Sequence, residues 1–547
     1  MNCLHRESWK VRDVIWGDVF LTAEDRRILD TFEMQRLRGI KQLDFAFLVY
    51  PGAEHTRFQH SLGVRACVDR IISASKLPVD EEELRLVRVA ALLHDAATPV
   101  FSHVVSDFFR RFYPDIIPPH EKFVGEVLEG VCYEKYIERH PEAEGEVPSL
   151  KEALQEEGYS RSDRRKIVRI ITGEFKPKYI AQLVNGALDA DRLDYLKRDA
   201  YYTGVPQSYD DRIFSSFNVG EGDELTLKVK HDAIGAAVSV LESRFWMMQK
   251  VYLHLTVLAA NCLALEMLVK ALGDYDFYEL FFLDDAEILN QFIRSEVEEV
   301  RVLACRMRYR KLPKKAYVAH LKELPEKVSK AALGMINYHE LQDEIANEAK
   351  AINPRLEIDE KDIFLYLPRD YYKGAEEVRV GDATLEEYDP SIVQTLKARY
   401  ESLMQVCVYV SNNGYVKTVN DACVRLFGVK SDYDPNTRRP PLRKKGSVDE
   451  EILRFLKKVR DGANYALKAL RTLVEVAEAC SRDKLSEMMG VEATTVSTYL
   501  QQIYRLQKML RQPVLLRMRE GRKILWEVNP NLREGLRRGL RMVERGK

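Results

Sequence analysis

The chain has 547 residues, 46% of them hydrophobic and 31% charged, which excludes a disordered polymer and gives enough apolar mass for roughly three folded units. Its 84 basic and 85 acidic residues leave a formal charge of −1, so no global field draws it to nucleic acid or to an acidic membrane. Any basic site has to be local.

The amino terminus, MNCLHRESWKVRD, carries charges where a signal peptide needs an apolar stretch, and no run of about 18 apolar residues follows anywhere. Eight cysteines (Cys3, Cys67, Cys132, Cys262, Cys305, Cys407, Cys423, Cys480) stand singly without a CxxC pair. That spacing argues against a thiolate zinc site or a disulfide framework and fits a reducing compartment. A cytoplasmic protein with no membrane partner is expected.

Most of the chain reads as helix. EEELRLVRVAALLH (81–94), SVLESRFWMMQKVYLHLTVLAANCLALEMLVKAL (239–272) and DEEILRFLKKVRDGANYALKALRTLVEVAEAC (449–480) repeat apolar residues at i, i+3, i+4 and i+7. Near residue 355 the texture changes. EIDEKDIFLYLPRDYY, EEVRV and LMQVCVYVS are short β-branched or aromatic runs, and KTVNDACVRLFG returns to helical spacing. The pattern predicts a helical domain over 1–350 and a small α+β lobe over 355–430. SDYDPNTRRPPLRKKGS (431–447), with three prolines and five positive residues, reads as a basic linker.

Residues 448–547 are expected to form a helical connector and a further domain. SRDKLSEMMGVEATTVSTYLQQIYRLQKML (481–510) has the layout of helix–turn–helix, and VLLRMREGRKILWEV (514–528) reads as two strands around a Glu-Gly turn. This is a winged-helix-like arrangement. Residues 471–547 carry a net charge of about +7, so a nucleic acid at Thr494, Thr495, Ser497 and Arg522 is one candidate partner. Protein packing by the same unit is the alternative.

The chemistry lies in the first 200 residues. HTRFQHSLGV supplies His60, ALLHDAATPVFSH supplies His94, Asp95 and His103, and LDADRLDYLKRD supplies Asp191. Imidazole and carboxylate together suit manganese, iron, zinc or cobalt. Adjacent residues within a helix point about 100° apart, so His94 and Asp95 can converge only where the helix stops, as AATP suggests.

Several stretches together resemble the HD-domain phosphohydrolases, and within them the deoxynucleoside triphosphate (dNTP) triphosphohydrolase branch. They are DTFEMQRLRGIKQL (30–43), YPGAEHTRFQHSLGV (50–64), LLHDAATPVFSH (92–103), HE (120–121), NGALDADRLDYLKRD (185–199) and VYLH (251–254). The likeness runs from about residue 10 to at least 260. It implies a mainly α protein with an all-helical HD-domain core.

The resemblance further implies that His60, His94, Asp95 and Asp191 hold one divalent metal (manganese, iron, zinc or cobalt, with magnesium possible alongside substrate). The implied reaction cuts a dNTP between the α-phosphorus and the 5′ oxygen. Arg57, Arg192 and Arg244 match phosphate-binding cations, and Thr98 sits beside the α-phosphate. His103 matches the acid for the leaving oxygen, with His120 a second active-site histidine and Asp191 serving catalysis as well as the metal. Tyr195 and Asp199 face the sugar, Gln42 lies at its 3′-hydroxyl, Tyr252 packs against its ring, and Leu43 is a further substrate-binding residue. Asp30, Gln35 and Arg38 match an allosteric guanine-nucleotide site, which makes an activating nucleotide a further candidate partner, and a homo-oligomer is expected.

The chain departs from the family pattern in two places. Where HDxGHGPFSH is usual this chain has HDAATPVFSH, so Thr98 replaces a histidine and Ala97 a glycine; Ser106 stands where an aspartate is common, with Asp107 next to it. Threonine can donate a hydrogen bond but cannot carry a proton near neutral pH. An HD-type nuclease or nucleotide phosphatase therefore stays open, as does a nucleotide-sensing regulator that binds nucleic acid.

Overall fold

The computed structural model describes residues 9–113, 120–271, 278–334, 337–369 and 375–433, and beyond them the stretches 480–489, 515–520 and 523–528 with a few residues between. Two compact units, Met1–Pro435 and Asn436–Lys547, divide the chain.

The first unit opens on an antiparallel hairpin, β1 (Trp9–Asp13) and β2 (Gly17–Leu21), paired from Trp9↔Leu21 to Asp13↔Gly17. Its turn is closed by the Asp13 carboxylate, which accepts from the backbone N–H groups of Ile15 and Trp16 at 2.8 and 2.9 Å. Helices follow, each begun by a residue suited to it. Thr56 and Gln59 form a capping box for α1 (Arg57–Ser75), and Asp80 with Glu83 does the same for α2 (Glu81–Leu93). α3 (His103–Phe112) comes next; Asp189 caps α4 (Ala190–Thr203), which ends on Gly204 at φ 68°. α5 (His231–Met247) and α6 (Leu255–Ala271) complete the set that matters for the site.

The apolar periodicity of these helices is spent on one core. Val64, Cys67, Val68 and Ile71 of α1, Leu92 and Leu93 of α2, and Leu193 and Leu196 of α4 are all fully buried. α1 packs on both α2 and α4, which brings the start of α1, the end of α2 and the start of α4 together. Among the described residues no single helix is long and apolar enough to cross a membrane.

The lobe is a three-stranded sheet of β3 (Lys314–His320), β4 (Ile363–Tyr366) and β5 (Gln405–Val410), with β5 central and antiparallel to both neighbours. α7 (Tyr338–Ile352) and α8 (Val416–Phe427) cover one face, where Val406, Val408 and Val410 meet Ile345, Val419 and Ala422. The alternate residues Cys407 and Tyr409 join the helical core instead. Burial on both faces explains why QVCVYV reads as a continuous apolar run. The sheet's first strand lies well before the expected boundary at 355. KKAYVAH contains two alanines and opens on two lysines, a weak strand signal that only pairing with β5 overrides.

In the second unit, β6 (Cys480–Ser481) leads into α9 (Arg482–Met489), and β7 (Leu515–Glu520) pairs with β8 (Lys523–Val528) from Leu515↔Val528 to Glu520↔Lys523. β6 adds to β8 on its other edge. The strand pair read from VLLRMREGRKILWEV is therefore present. Thr494, Ser497 and Arg522 lie outside the described residues, as do positions 434–447 of the expected linker; Thr495 is described, and its N–H donates to the Glu492 carbonyl at 3.0 Å.

Candidate metal centre and active site

His60 sits in the first turn of α1 and is fully buried. Its Nδ1 donates to an Asp194 oxygen at 2.7 Å, and its Nε2 lies 2.8 Å from Asp191 Oδ1. His94 closes α2, where its Nδ1 donates to the Ala91 carbonyl at 2.8 Å and its Nε2 comes within 3.2 Å of His60 Nε2. One donor atom each from His60, His94 and Asp191 falls within 4.8 Å of the others. Asp95 Oδ2 is 3.6 Å from His94 Nε2 and 3.9 Å from His60 Nε2. His60, His94 and Asp191 thus form one cluster, and Asp95 lies beside it because the stop after His94 frees its side chain to turn inward.

The donor set fits a divalent metal. Two imidazoles and the Asp191 carboxylate come together with Asp95 at their edge, and each histidine has its other nitrogen fixed by an oxygen, which orients Nε2 toward the cluster. Burial pushes His60 down, but Asp191 and Asp194 outweigh it and hold the ring up at about 10. Burial likewise opposes charge on Asp95, yet Arg57 and the two histidines keep its carboxyl well below the usual range. A bound cation would replace the proton that the two carboxylates hold on the His60 ring.

Behind the ligands lies a layer the sequence reading missed. Arg198 Nε and Nη2 donate to the two oxygens of Asp194 at 2.8 and 2.9 Å, Arg198 Nη1 reaches Asp13 at 2.8 Å, and Trp16 Nε1 also donates to Asp194. Asp194 and Arg198 are wholly buried, and the arginine and His60 hold the Asp194 carboxyl down against burial. The signal for Asp194 was in LDADRLDYLKRD, one helical turn after Asp191 and one before Arg198.

Two cavities open at this cluster. The smaller, about 240 Å³, is lined by Arg57, His94, Asp95, Thr98, His103, Asp189 and Asp191 among others. Arg57 Nη1 donates to Asp95 Oδ2 at 2.9 Å, and Thr98 Oγ1 donates to Asp95 Oδ1 at 3.0 Å. The Thr98 carbonyl in turn accepts from Arg36. Thr98 therefore steadies a ligand rather than carrying charge.

The larger cavity, about 860 Å³, shares Arg57, His103, Ser106 and Asp191 with the first, and Gln42, Leu43, Tyr195, Asp199, Arg244 and Tyr252 also line it. Asp199 is fixed on both oxygens, by Tyr252 OH at 2.6 Å and by His55 Nε2 at 2.7 Å. His55, stacked on Tyr202, is a second residue the sequence reading missed. Arg244 Nη1 donates to Tyr400 OH at 3.1 Å. Among the described residues the buried Gln42 Oε1, Arg57 Nε and Arg192 Nε have no hydrogen-bond partner.

Three groups of expected residues stand apart. Arg192 lines neither cavity; its guanidinium donates to the Ala187 carbonyl at the start of α4, and its charge acts on Asp189 and Tyr195. His120 begins the helix His120–Leu128, and its side chain lies outside the described residues. Asp30, Gln35 and Arg38 line neither cavity. Arg38 donates to Gln35 at 2.8 Å and covers the Phe58 ring at 3.6 Å, while Asp30 pairs with Arg26 at 3.4 Å.

Histidines and aspartates meeting from three helices in one buried cluster define a helical domain of the metal-ligating kind. Residues 57–199 match the HD domain and residues 211–438 the HD associated region, and the chain belongs to the HD-domain family. It is 30% identical over 289 residues to an uncharacterized protein of Methanocaldococcus jannaschii, spanning 52% of this chain and 54% of that one. An uncharacterized Bacillus subtilis protein is 31% identical over 312 residues, covering 52% and 66%. The deoxynucleoside triphosphate triphosphohydrolase SAMHD1 of Homo sapiens is 29% identical over 269 residues, covering 46% and 43%. The chain thus spans about half the length of the curated relatives it matches. A solved hypothetical protein from Aquifex aeolicus superposes with a TM-score of 0.57 at 26% identity, over 76% of this chain and 100% of that one.

Proposed function

We propose that this protein is a metal-dependent phosphohydrolase that converts dNTPs into deoxynucleoside and triphosphate. The observation that carries the reading is that two cavities share Arg57, His103, Ser106 and Asp191: one lies at the ligand cluster, and the other bears Arg244 and the polar groups of Gln42, Tyr195, Asp199 and Tyr252. At about 860 Å³ the larger lies in the range of nucleotide-sized sites. A phosphate monoester would leave most of it empty. Similarity to a protein named for dNTP triphosphohydrolysis supports the same reading.

His60, His94, Asp95 and Asp191 would hold the divalent ion, whether manganese, iron, zinc or cobalt, and when bound it supplies Lewis acidity toward a phosphoryl oxygen. Arg57, anchored on Asp95, and Arg244, anchored on Tyr400, keep their charge and offer forked donors to the phosphate chain. His103 gives a proton to the 5′ oxygen, which as a bare alkoxide is a poor leaving group. The Tyr252 hydroxyl is engaged by Asp199, so it has no free proton for a ribose 2′-hydroxyl, and the fixed ring crowds that position. The proposal extends to a homo-oligomer, to a regulatory guanine nucleotide at Asp30, Gln35 and Arg38, and to a nucleic-acid ligand of residues 448–547.

The test is product identification after incubation with Mn²⁺ or Mg²⁺ and each dNTP, NTP, dNMP and single-stranded DNA. Triphosphate release from dNTPs is the expected result. Phosphate from a dNMP, or DNA shortening, with no triphosphate under any metal or added nucleotide, would replace it with a phosphatase or nuclease. Analytical ultracentrifugation with and without dGTP, and anisotropy with labelled DNA, read the oligomer and nucleic-acid extensions.

A further inference from the structure

His103 opens α3 behind two non-glycine residues in left-handed backbone, Phe101 at φ 53° and Ser102 at φ 46°. Such backbone persists only where its surroundings hold it. Here Phe101 N–H donates to Asp285 Oδ1 at 2.7 Å, Lys41 N–H donates to Asp285 Oδ2 at 2.8 Å, and Val100 N–H donates to the Leu280 carbonyl at 2.8 Å. The last tie concerns the histidine itself. His103 N–H donates to Asp44 Oδ1 at 2.9 Å, and that same oxygen lies 3.6 Å from His103 Nδ1. Asp44, nine-tenths buried, is also in the left-handed region at φ 48°, a conformation aspartate tolerates better than most residues.

Among the described residues no other carboxylate is as well disposed toward this ring. Asp107, on the same helix, is engaged by Arg369 at 2.8 Å and by Arg110, and the Ser106 hydroxyl donates to the Ser102 carbonyl at 3.2 Å. Asp95 is bound by Arg57, Asp191 faces His60, and Asp189 caps α4. The charge that opposes Asp44 is Arg57, whose Nη2 approaches His103 Nδ1 to 3.5 Å. A guanidinium can only donate, so Arg57 addresses the Nδ1 lone pair and competes with Asp44 for that nitrogen. His94 lines the smaller cavity, and Arg110 and Arg111 the larger. His103 Nε2 has no hydrogen-bond partner among the described residues.

We propose that Asp44 is the positioning carboxylate of the acid: it turns Nδ1–H toward itself, stabilises the imidazolium against Arg57, and leaves Nε2–H to face the leaving oxygen. The inference rests on the reading of His103 as that acid. As the bond between the α-phosphorus and O5′ breaks, O5′ keeps the electron pair and takes the Nε2 proton. The oxygen of water bonds to phosphorus and releases one proton to the medium. His103, 55% exposed, regains its proton from solvent.

The test compares Asp44→Asn, which keeps an acceptor for the His103 N–H and tolerates the same backbone, with Asp44→Glu and His103→Gln in the full chain. With dNTP, Asp44→Asn should lower kcat about 10–100-fold with KM within about threefold, and move the alkaline limb of the kcat profile down by about one pH unit. Asp44→Glu should restore part of both. The p-nitrophenyl ester of thymidine 5′-monophosphate loses a phenolate that needs no proton, so its hydrolysis should change less than about threefold. Histidine-labelled NMR titration, with His103→Gln identifying the signal, should show the His103 pKa falling in Asp44→Asn. An Asp44→Asn protein of unchanged melting temperature, unchanged alkaline limb and unchanged His103 titration overturns the proposal, as does an equal loss on both substrates. If the wild type releases no triphosphate the dNTP reading fails, while the titration still decides the role of Asp44.

Discussion

His60 Nδ1 donates to Asp194 at 2.7 Å while its Nε2 faces Asp191 at 2.8 Å, so two carboxylates one helical turn apart grip opposite nitrogens of one ring. Asp191 would ligate; Asp194 aims. An oxygen partner on the far nitrogen fixes the tautomer and raises the basicity of the ligating one. Asp194→Asn should therefore weaken metal binding about 10–100-fold while leaving all four ligands in place. Metal titration of the purified protein checks this, and an affinity within twofold of wild type would remove Asp194 from the site.

The difference between those two aspartates marks the limit of what the sequence discloses. His60, His94, Asp95 and Asp191 stand out because their order, H…HD…D, resembles the pattern of a known family. Asp194 and Arg198 look like an ordinary i,i+4 surface pair, worth little when solvated. Only packing reveals that both are wholly buried and joined to Asp13 and Trp16 of the opening hairpin. β3 escaped for a similar reason: its strand character comes from β5, not from KKAYVAH. Arg192 is similar: its residue type suits phosphate, and only the fold shows that its guanidinium also donates to the Ala187 carbonyl at the start of α4.

Gly63 tests that hidden layer from the other side. It lies on α1 one turn after His60, and a Cβ there would collide with the Asp194 carboxylate and the Arg198 guanidinium. Neither group is the loose end of a solvated side chain, so neither yields easily. Gly63→Ala should lower the melting temperature by several degrees, corresponding to about 2–4 kcal/mol, and reduce metal loading with it. A variant as stable and as well loaded as wild type would mean that this layer shifts freely.

Thr98 has two attachments that a pair of variants separates. Its hydroxyl donates to Asp95 at 3.0 Å, and its carbonyl accepts from Arg36. Thr98→Val keeps the shape and the carbonyl but leaves Asp95 Oδ1 without that donor, at a cost of about 1 kcal/mol. Metal affinity and kcat should each fall about 3–10-fold, and Thr98→Ser should recover most of the loss. Equal behaviour of the valine and serine variants would show that the hydroxyl is idle.

Glu266 offers a prediction on stability that is independent of the site. It lies on α6, 7% exposed, with one oxygen accepting from Gln342 of α7 at 2.9 Å. Burial pushes its carboxyl up to about 7, and Gln342 and Lys270 only partly counter it. The folded chain therefore holds a proton there that the unfolded chain has released above about 4.5, and stability falls as pH rises from about 4.5 to 7. Burial raises Glu33 and Asp285 to about 7 as well, adding to the same slope. Glu266→Gln keeps an oxygen for Gln342 and carries no charge. At pH 8 it should be more stable than wild type by about 1–3 kcal/mol, and at pH 4.5 the two should melt together. Denaturant titrations at the two pH values measure the difference. A variant less stable than wild type at pH 8 would show that the buried carboxylate has a compensating partner.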